Sequence, residues 1–171
     1  MFPLFLVYLA EYTINLGLHP VLLFPLPSTP FNHYRAFYPT YNFLYQAGVF
    51  VSRSSTPFLR IHRLYPPSLL QVSNFFLLAS QAALGWMPDR IGFWIVSAVV
   101  VWEGLLGGAV YVSTFAEIMD NVQRDEREFS LAATSVSDSC GTSIAGFVAM
   151  AVEKSICAWQ VRRGRDWCRR L

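Results

Sequence analysis

Apolar runs broken by short polar clusters set the pattern of this chain, and residues 2–24, 34–51, 68–87, 91–116 and 129–152 form five such runs. A helix rises 1.5 Å per residue, so ~20 residues cross ~30 Å of hydrocarbon, and runs of this length predict transmembrane helices. The expected fold is all-α: a polytopic membrane bundle of about five spans, with a basic C-terminal tail at 153–171.

The polar positions inside the runs recur with helical spacing. Glu11, Asn15 and His19 stand four apart and share one side of the first helix. In the fifth run Ser130, Thr134, Asp138 and Thr142 form a second stripe, beside a small-residue face of Ser137, Gly141 and Ala145. The fourth run is apolar up to Glu103, which Gly104, Gly107 and Gly108 follow. An acidic residue at the centre of a spanning helix costs roughly 2.5–3.5 kcal/mol on insertion scales, so Glu11, Glu103 and Asp138 are expected to face protein or a polar cavity. Gly104, Gly107, Gly108 and Gly141 are the candidate positions for close helix packing, because a missing side chain lets a neighbouring backbone approach. Asn15 and His19 have an alternative role as hydrogen-bonding glue to a neighbouring helix. Pro20 lacks a backbone donor and is expected to kink or end the first helix.

Composition supports the membrane class: hydrophobic residues make up 54% of the chain and charged residues 14%, against about 25% charged in an ordinary soluble domain. Charge also suggests orientation. The loop after the second run holds Arg53, Arg60, His62 and Arg63 and no acidic residue, which the positive-inside rule assigns to the cytoplasm. Arg53 is either an interfacial charge of this kind or an inward partner for a carboxylate such as Glu11. Glu117 is expected as a solvated charge at the same edge. Alternation then conflicts with the tail, whose Lys154, Arg162, Arg163, Arg165, Arg169 and Arg170 also ask for the cytoplasmic face. Either the tail departs from the rule or residues 156–161 re-enter the interface.

Cys140, Cys157 and Cys168 show no metal-ligand spacing and suggest neither a zinc site nor a disulfide framework. The ending Cys168-Arg169-Arg170-Leu171 has arginine where a prenylation box has aliphatic residues, so lipidation is not expected. No cofactor, metal or nucleic acid is implied. Met1 leads almost directly into a span, which points to further sequence before it.

Four segments then carry a family likeness. Ala10-Glu11-Tyr12-Thr13-Ile14-Asn15, Tyr45-Gln46-Ala47-Gly48-Val49-Phe50-Val51-Ser52-Arg53-Ser54-Ser55, Glu103-Gly104-Leu105-Leu106-Gly107-Gly108, and Arg127-Glu128-Phe129-Ser130-Leu131-Ala132-Ala133-Thr134 with Ser137-Asp138 resemble the battenin family in order and spacing. The resemblance implies a multi-pass protein of the lysosomal or fungal vacuolar membrane, similar in fold to the C-terminal half of a major facilitator superfamily transporter. It further implies vacuolar pH homeostasis and transport of basic amino acids, or export of glycerophosphodiesters as in animal members.

Two functions remain in contention. In a transporter, Glu11, Asn15, His19, Arg53, Glu103 and Asp138 line a path for substrate or protons, together with the missing N-terminal half or a second subunit. In a scaffold or trafficking factor, the spans only pack and the cytoplasmic loops, above all residues 124–128, recruit partners. An intramembrane enzyme is the weakest reading, because only His19 and Glu11 approach a catalytic set. Membrane lipid, a small-molecule substrate and protons are the partners implied. Several carboxylates held inside the bilayer favour transport, since a scaffold has no use for them.

Overall fold

The computed structural model describes residues 2–55 and 61–170, so Arg60 and the rest of 56–60 lie outside the described residues. Every regular element among them is helical: α1 (Phe2–Thr13), α2 (Phe37–Ser54), α3 (Tyr65–Leu84), α4 (Arg90–Asn121) and α5 (Arg124–Arg162), with short 3₁₀ turns between and after them. By length and apolarity, α4 and α5 are the described helices able to cross a membrane unaided. α1 is interrupted, and α2 and α3 carry Tyr41, Tyr45, Gln71, Asn74 and Gln81 on buried faces, which lowers their apolarity without breaking the helix.

The first run is not one helix. After Thr13 the backbone widens into a π-helical turn over Ile14–Leu18, closed by the His19 N–H bonding to the Ile14 carbonyl, and then tightens into a 3₁₀ turn at His19–Val21. Pro20 has no N–H to give and the helix ends one residue later, as its chemistry requires. The helix ends shift elsewhere too. α5 continues to Arg162 with no break, so residues 156–161 are helical and do not turn back into an interface.

Two helix pairs build the bundle, α2 on α4 and α1 on α5, with α3 against α1 and α4. Backbone meets backbone in the first pair. A β-carbon on Gly48 would run into the Val101 carbonyl, one on Gly104 into the Tyr45 carbonyl, and one on Gly108 would lie 3.0 Å from the Val49 carbonyl. In the second pair a β-carbon on Gly141 would lie 2.9 Å from the Phe5 carbonyl, and one on Gly17 would lie 2.9 Å from the backbone of Ala149. Gly104, Gly108 and Gly141 thus occupy packing seams, to which the structure adds Gly17 and Gly48. Gly107 does something different, described below.

The two ends of the bundle are unlike. At one, Ser68 of α3 donates to the Pro3 carbonyl of α1, Ile61 N–H bonds to Ser113, and His62 lies 2.7 Å from Glu117. Glu117 also accepts from Asn121, so it is a bonded group and not merely a solvated charge. At the other end the segment after α5 folds back, and its cysteine Cys168 is disulfide-bonded to Cys157. That bond corrects the expectation of no disulfide: a separation of 11 residues carries no framework signal in sequence, and only the reversal at Gly164, with φ of 79°, brings the two sulfurs together.

Candidate functional site

Three helices place acidic, imidazole and phenol groups in one buried layer. Glu11 on α1 is 3% exposed, while His19 beyond the π turn and Glu103 on α4 are fully buried. The Tyr45 hydroxyl of α2 donates to Glu11 Oε1. His19 Nε2 lies 3.8 Å from Glu103 Oε2, within ion-pair reach and too long for a hydrogen bond. Tyr41 stacks at a tilt on the His19 ring with 5.4 Å between centroids.

Local sequence explains how these groups meet. Glu103 and Gly107 are one helical turn apart on α4 and face α1 together. A β-carbon at Gly107 would lie 2.5 Å from the Glu11 carboxylate oxygens, so this glycine makes room for a carboxylate and not for a helix backbone. The π turn inserts an extra residue between Glu11 and His19, which takes His19 off the simple stripe and toward Glu103. Asn15, 6% exposed, lies inside that turn.

Hydrogen bonding in this layer is incomplete. Glu11 Oε2, Asn15 Oδ1, both ring nitrogens of His19, Tyr41 Oη and both carboxylate oxygens of Glu103 are buried without a hydrogen-bond partner among the described residues. A buried polar atom without a partner costs about 1–3 kcal/mol and more when charged, so this layer is costly to hold inside a helix bundle.

Arg53 and Asp138 sit apart from this layer, although Arg53 remains within electrostatic reach of Glu11. They line an open cleft of about 380 Å³ with Tyr8, Tyr12, Tyr111, Ser139, Thr142 and Ser143. The Arg53 guanidinium lies 4.4 Å over the Tyr111 ring, and Ser139 donates to Asp138 Oδ1 at 3.1 Å. The six candidates therefore divide: Glu11, Asn15, His19 and Glu103 in the buried layer, and Arg53 and Asp138 in a cleft toward the His62–Glu117 end. Tyr8 and Tyr12 on α1 connect the two, since they flank Glu11 in sequence and reach the cleft. Tyr41, Tyr45 and the tyrosines of the cleft were not foreseen as site residues. Aromatic rings favour the headgroup boundary as readily as a bundle interior, and only the α2–α4 seam shows that Tyr41 and Tyr45 are buried.

A family model described as "CLN3 protein" matches residues 1–159. The chain belongs to that family. Protein BTN1 of Chaetomium globosum is 62% identical across all 171 residues, covering 100% of this chain and 37% of the relative. Protein btn-1 of Neurospora crassa is 61% identical, with 100% of this chain and 36% of the relative covered. Protein BTN1 of Yarrowia lipolytica is 48% identical over 168 residues, which is 98% of this chain and 42% of the relative. No solved structure matches. This CLN3 family chain thus spans well under half the length of these relatives, and the battenin resemblance carried by its motifs holds over nearly all of it.

Proposed function

We propose that this chain is one part of a proton-coupled transporter of a vacuolar or lysosomal membrane. In this reading all five helices cross the bilayer as half of a major facilitator type fold, and small solutes, basic amino acids or glycerophosphodiesters, pass between this part and the rest of the parent protein. Exposed large apolar side chains on several helices, such as Phe50 at 72%, Phe76 at 65% and Phe147 at 73%, support a lipid-facing surface.

The observation that carries the proposal is the His19–Glu103 pair, held at 3.8 Å in a fully buried site without hydrogen bonds to fix either charge state. Two groups of this kind share a proton in alternative ways, as imidazole with carboxylic acid or as imidazolium with carboxylate. Structural ion pairs, by contrast, are usually completed by further hydrogen bonds. Glu11 and Tyr45 extend the relay one turn toward the cleft, where Arg53 and Asp138 offer opposite charges to a polar solute. No covalent chemistry is required of any of these groups.

The test is proton-driven uptake by the full-length parent protein in sealed vesicles. Glu103→Gln is expected to reduce pH-gradient-driven uptake at least tenfold while leaving exchange of substrate without a gradient measurable. Full coupling in both Glu103→Gln and His19→Gln would overturn the proposal.

A further inference from the structure

α3 buries polar side chains of its own on the face that packs against α1 and α4. Two of them are bonded. Ser68 donates to the Pro3 carbonyl at 3.1 Å, and Gln81 uses both ends of its amide on Met87, giving to the carbonyl at 3.0 Å and accepting from the N–H at 3.2 Å. Gln71 has no exposed surface and Asn74 is 8% exposed. Neither the nitrogen nor the oxygen of the Gln71 amide, nor the nitrogen of Asn74, has a hydrogen-bond partner among the described residues. Leaving such a group unbonded costs about 1–3 kcal/mol, which a Met or Leu of similar shape would avoid.

Register places these amides beside the buried layer. α1 and α3 run parallel, tied at one end by the Ser68 bond to Pro3 and at the other by Gln160, whose amide nitrogen donates to the Val21 carbonyl at 2.8 Å and the Ala82 carbonyl at 2.7 Å. Interpolated between the two ties, Asn74 falls level with Glu11, and Gln71 one turn nearer the Arg53–Asp138 cleft, level with Val7 and Tyr8. The outer faces agree with this register, since Leu9, Ala10 and Thr13 share an apolar groove with Val72, Phe75 and Phe76. Tyr45 holds Glu11 Oε1, and Oε2 is the oxygen left without a partner. The charged and titratable groups that bear on Glu11 are Tyr45 and Arg53 of α2 and Glu103 of α4, itself paired with His19, while Asp138 of α5 acts on the neighbouring Tyr8 and Tyr12. From Pro66 to Leu84 α3 has no acid or base, and Gln71 and Asn74 are what it brings to this depth.

A primary amide carries donors and an acceptor on one soft terminal torsion, so it can give an N–H to a carboxylate and, turned over, receive the proton of a carboxylic acid. We propose that Gln71 and Asn74 are positioning residues of the proton layer, whose amides close on Glu11 Oε2 and turn over as its proton comes and goes. They move no proton themselves; they keep the two forms of Glu11 close in energy. The assignment rests on the transport reading above and adds α3 to the helices that couple proton to solute.

The experiment uses the full-length parent protein in sealed vesicles, with Gln71→Met and Asn74→Leu, which keep side-chain volume and remove the amides. Each is expected to lower the ratio of protons to solute moved by roughly threefold or more, the effect of losing one hydrogen bond to a charged group. Unfolding temperature in detergent is expected to hold or rise, because an unbonded buried amide is removed. Asn74→Gln, which keeps an amide, should retain most of the ratio, and in a Glu11→Gln background Asn74→Leu should add no further loss. Unchanged ratios in both single variants, or equal losses with and without Glu11→Gln, overturn the proposal. So does a fall in unfolding temperature with the ratio kept, which would make the amides packing groups. The wild-type protein separates the two readings: gradient-driven uptake in wild type with unchanged ratios in the variants defeats the role of α3 alone, and wild type without gradient-driven uptake defeats the transport reading and this one with it.

Discussion

Gly107 is the residue on which the buried layer depends most directly. Its absent side chain is the space that the Glu11 carboxylate fills, and a β-carbon placed there would sit 2.5 Å from both oxygens. Glu11 cannot retreat freely, because Tyr45 holds one of those oxygens from α2. Gly107→Ala is therefore expected to destabilise the protein by about 1–3 kcal/mol, the usual range for overpacking, while breaking the Tyr45 bond. Pairing it with Glu11→Ala should return most of the lost stability, because the clash and the displaced carboxylate vanish together. Thermal unfolding of the four proteins of this cycle in detergent measures the coupling. Equal losses in Gly107→Ala with and without Glu11 would show that the glycine serves helix packing after all. Glu103 behaves differently at this scale: Glu103→Gln removes a buried ionisable group and leaves its volume, so unfolding temperature is expected to hold or rise even as proton coupling falls.

Glycines also decide how the helices approach one another, and here the chain contains its own control. Gly48 and Gly104 let α2 and α4 meet backbone to backbone, whereas a β-carbon on Gly146 of α5 would meet nothing within 4 Å. Gly48→Ala and Gly104→Ala are each expected to cost ~1–3 kcal/mol or more, because a β-carbon would meet the backbone carbonyls of Val101 and Tyr45, which cannot rotate away. Gly146→Ala should be neutral or stabilising by up to ~1 kcal/mol, since it only improves helix propensity. Chemical denaturation of the three variants, or their survival through a temperature series in detergent, ranks them. A Gly146 variant as damaged as the other two would contradict the seam. Much of this level was readable beforehand: helical class, the approximate runs, and Gly104, Gly108 and Gly141 as packing positions follow from apolar length and four-residue spacing. The π turn was not, because no residue pattern in Ile14–Leu18 marks it, and it is seen only where Gly17 meets the backbone of Ala149 in the folded chain. Nor was the division of the acidic residues, since stripes tell which face a residue occupies but not which helix it meets. The disulfide was invisible for the same reason, as a reversal at Gly164 sets it and cysteine spacing does not.

At the scale of the molecule the polar groups form two zones in line: a buried layer around Glu103 and an open cleft around Arg53 and Asp138, with Tyr8 and Tyr12 beside Glu11 between them. Such an order suits a solute that waits in the cleft while a proton moves in the layer, and it predicts separable effects. Arg53 is exposed and Asp138 only half-buried. Neither is a pillar of the core, so Arg53→Gln and Asp138→Asn are expected to leave unfolding temperature within a degree or two, consistent with surface substitutions of about ±0.5 kcal/mol. If the cleft receives the solute, each should raise the apparent KM for uptake about ten- to a hundredfold, the effect of losing one charge-assisted contact of roughly 1.5–3 kcal/mol. The ratio of protons moved to solute moved should stay at the wild-type value, since the layer is intact. Glu103→Gln should show the converse: an ordinary KM with the ratio collapsed. Uptake measured against solute concentration, with and without a pH gradient, reads both quantities in one series. A cleft variant that altered coupling with unchanged KM would mean that Asp138 or Arg53 works with the protons, and the two zones would then have to be treated as one.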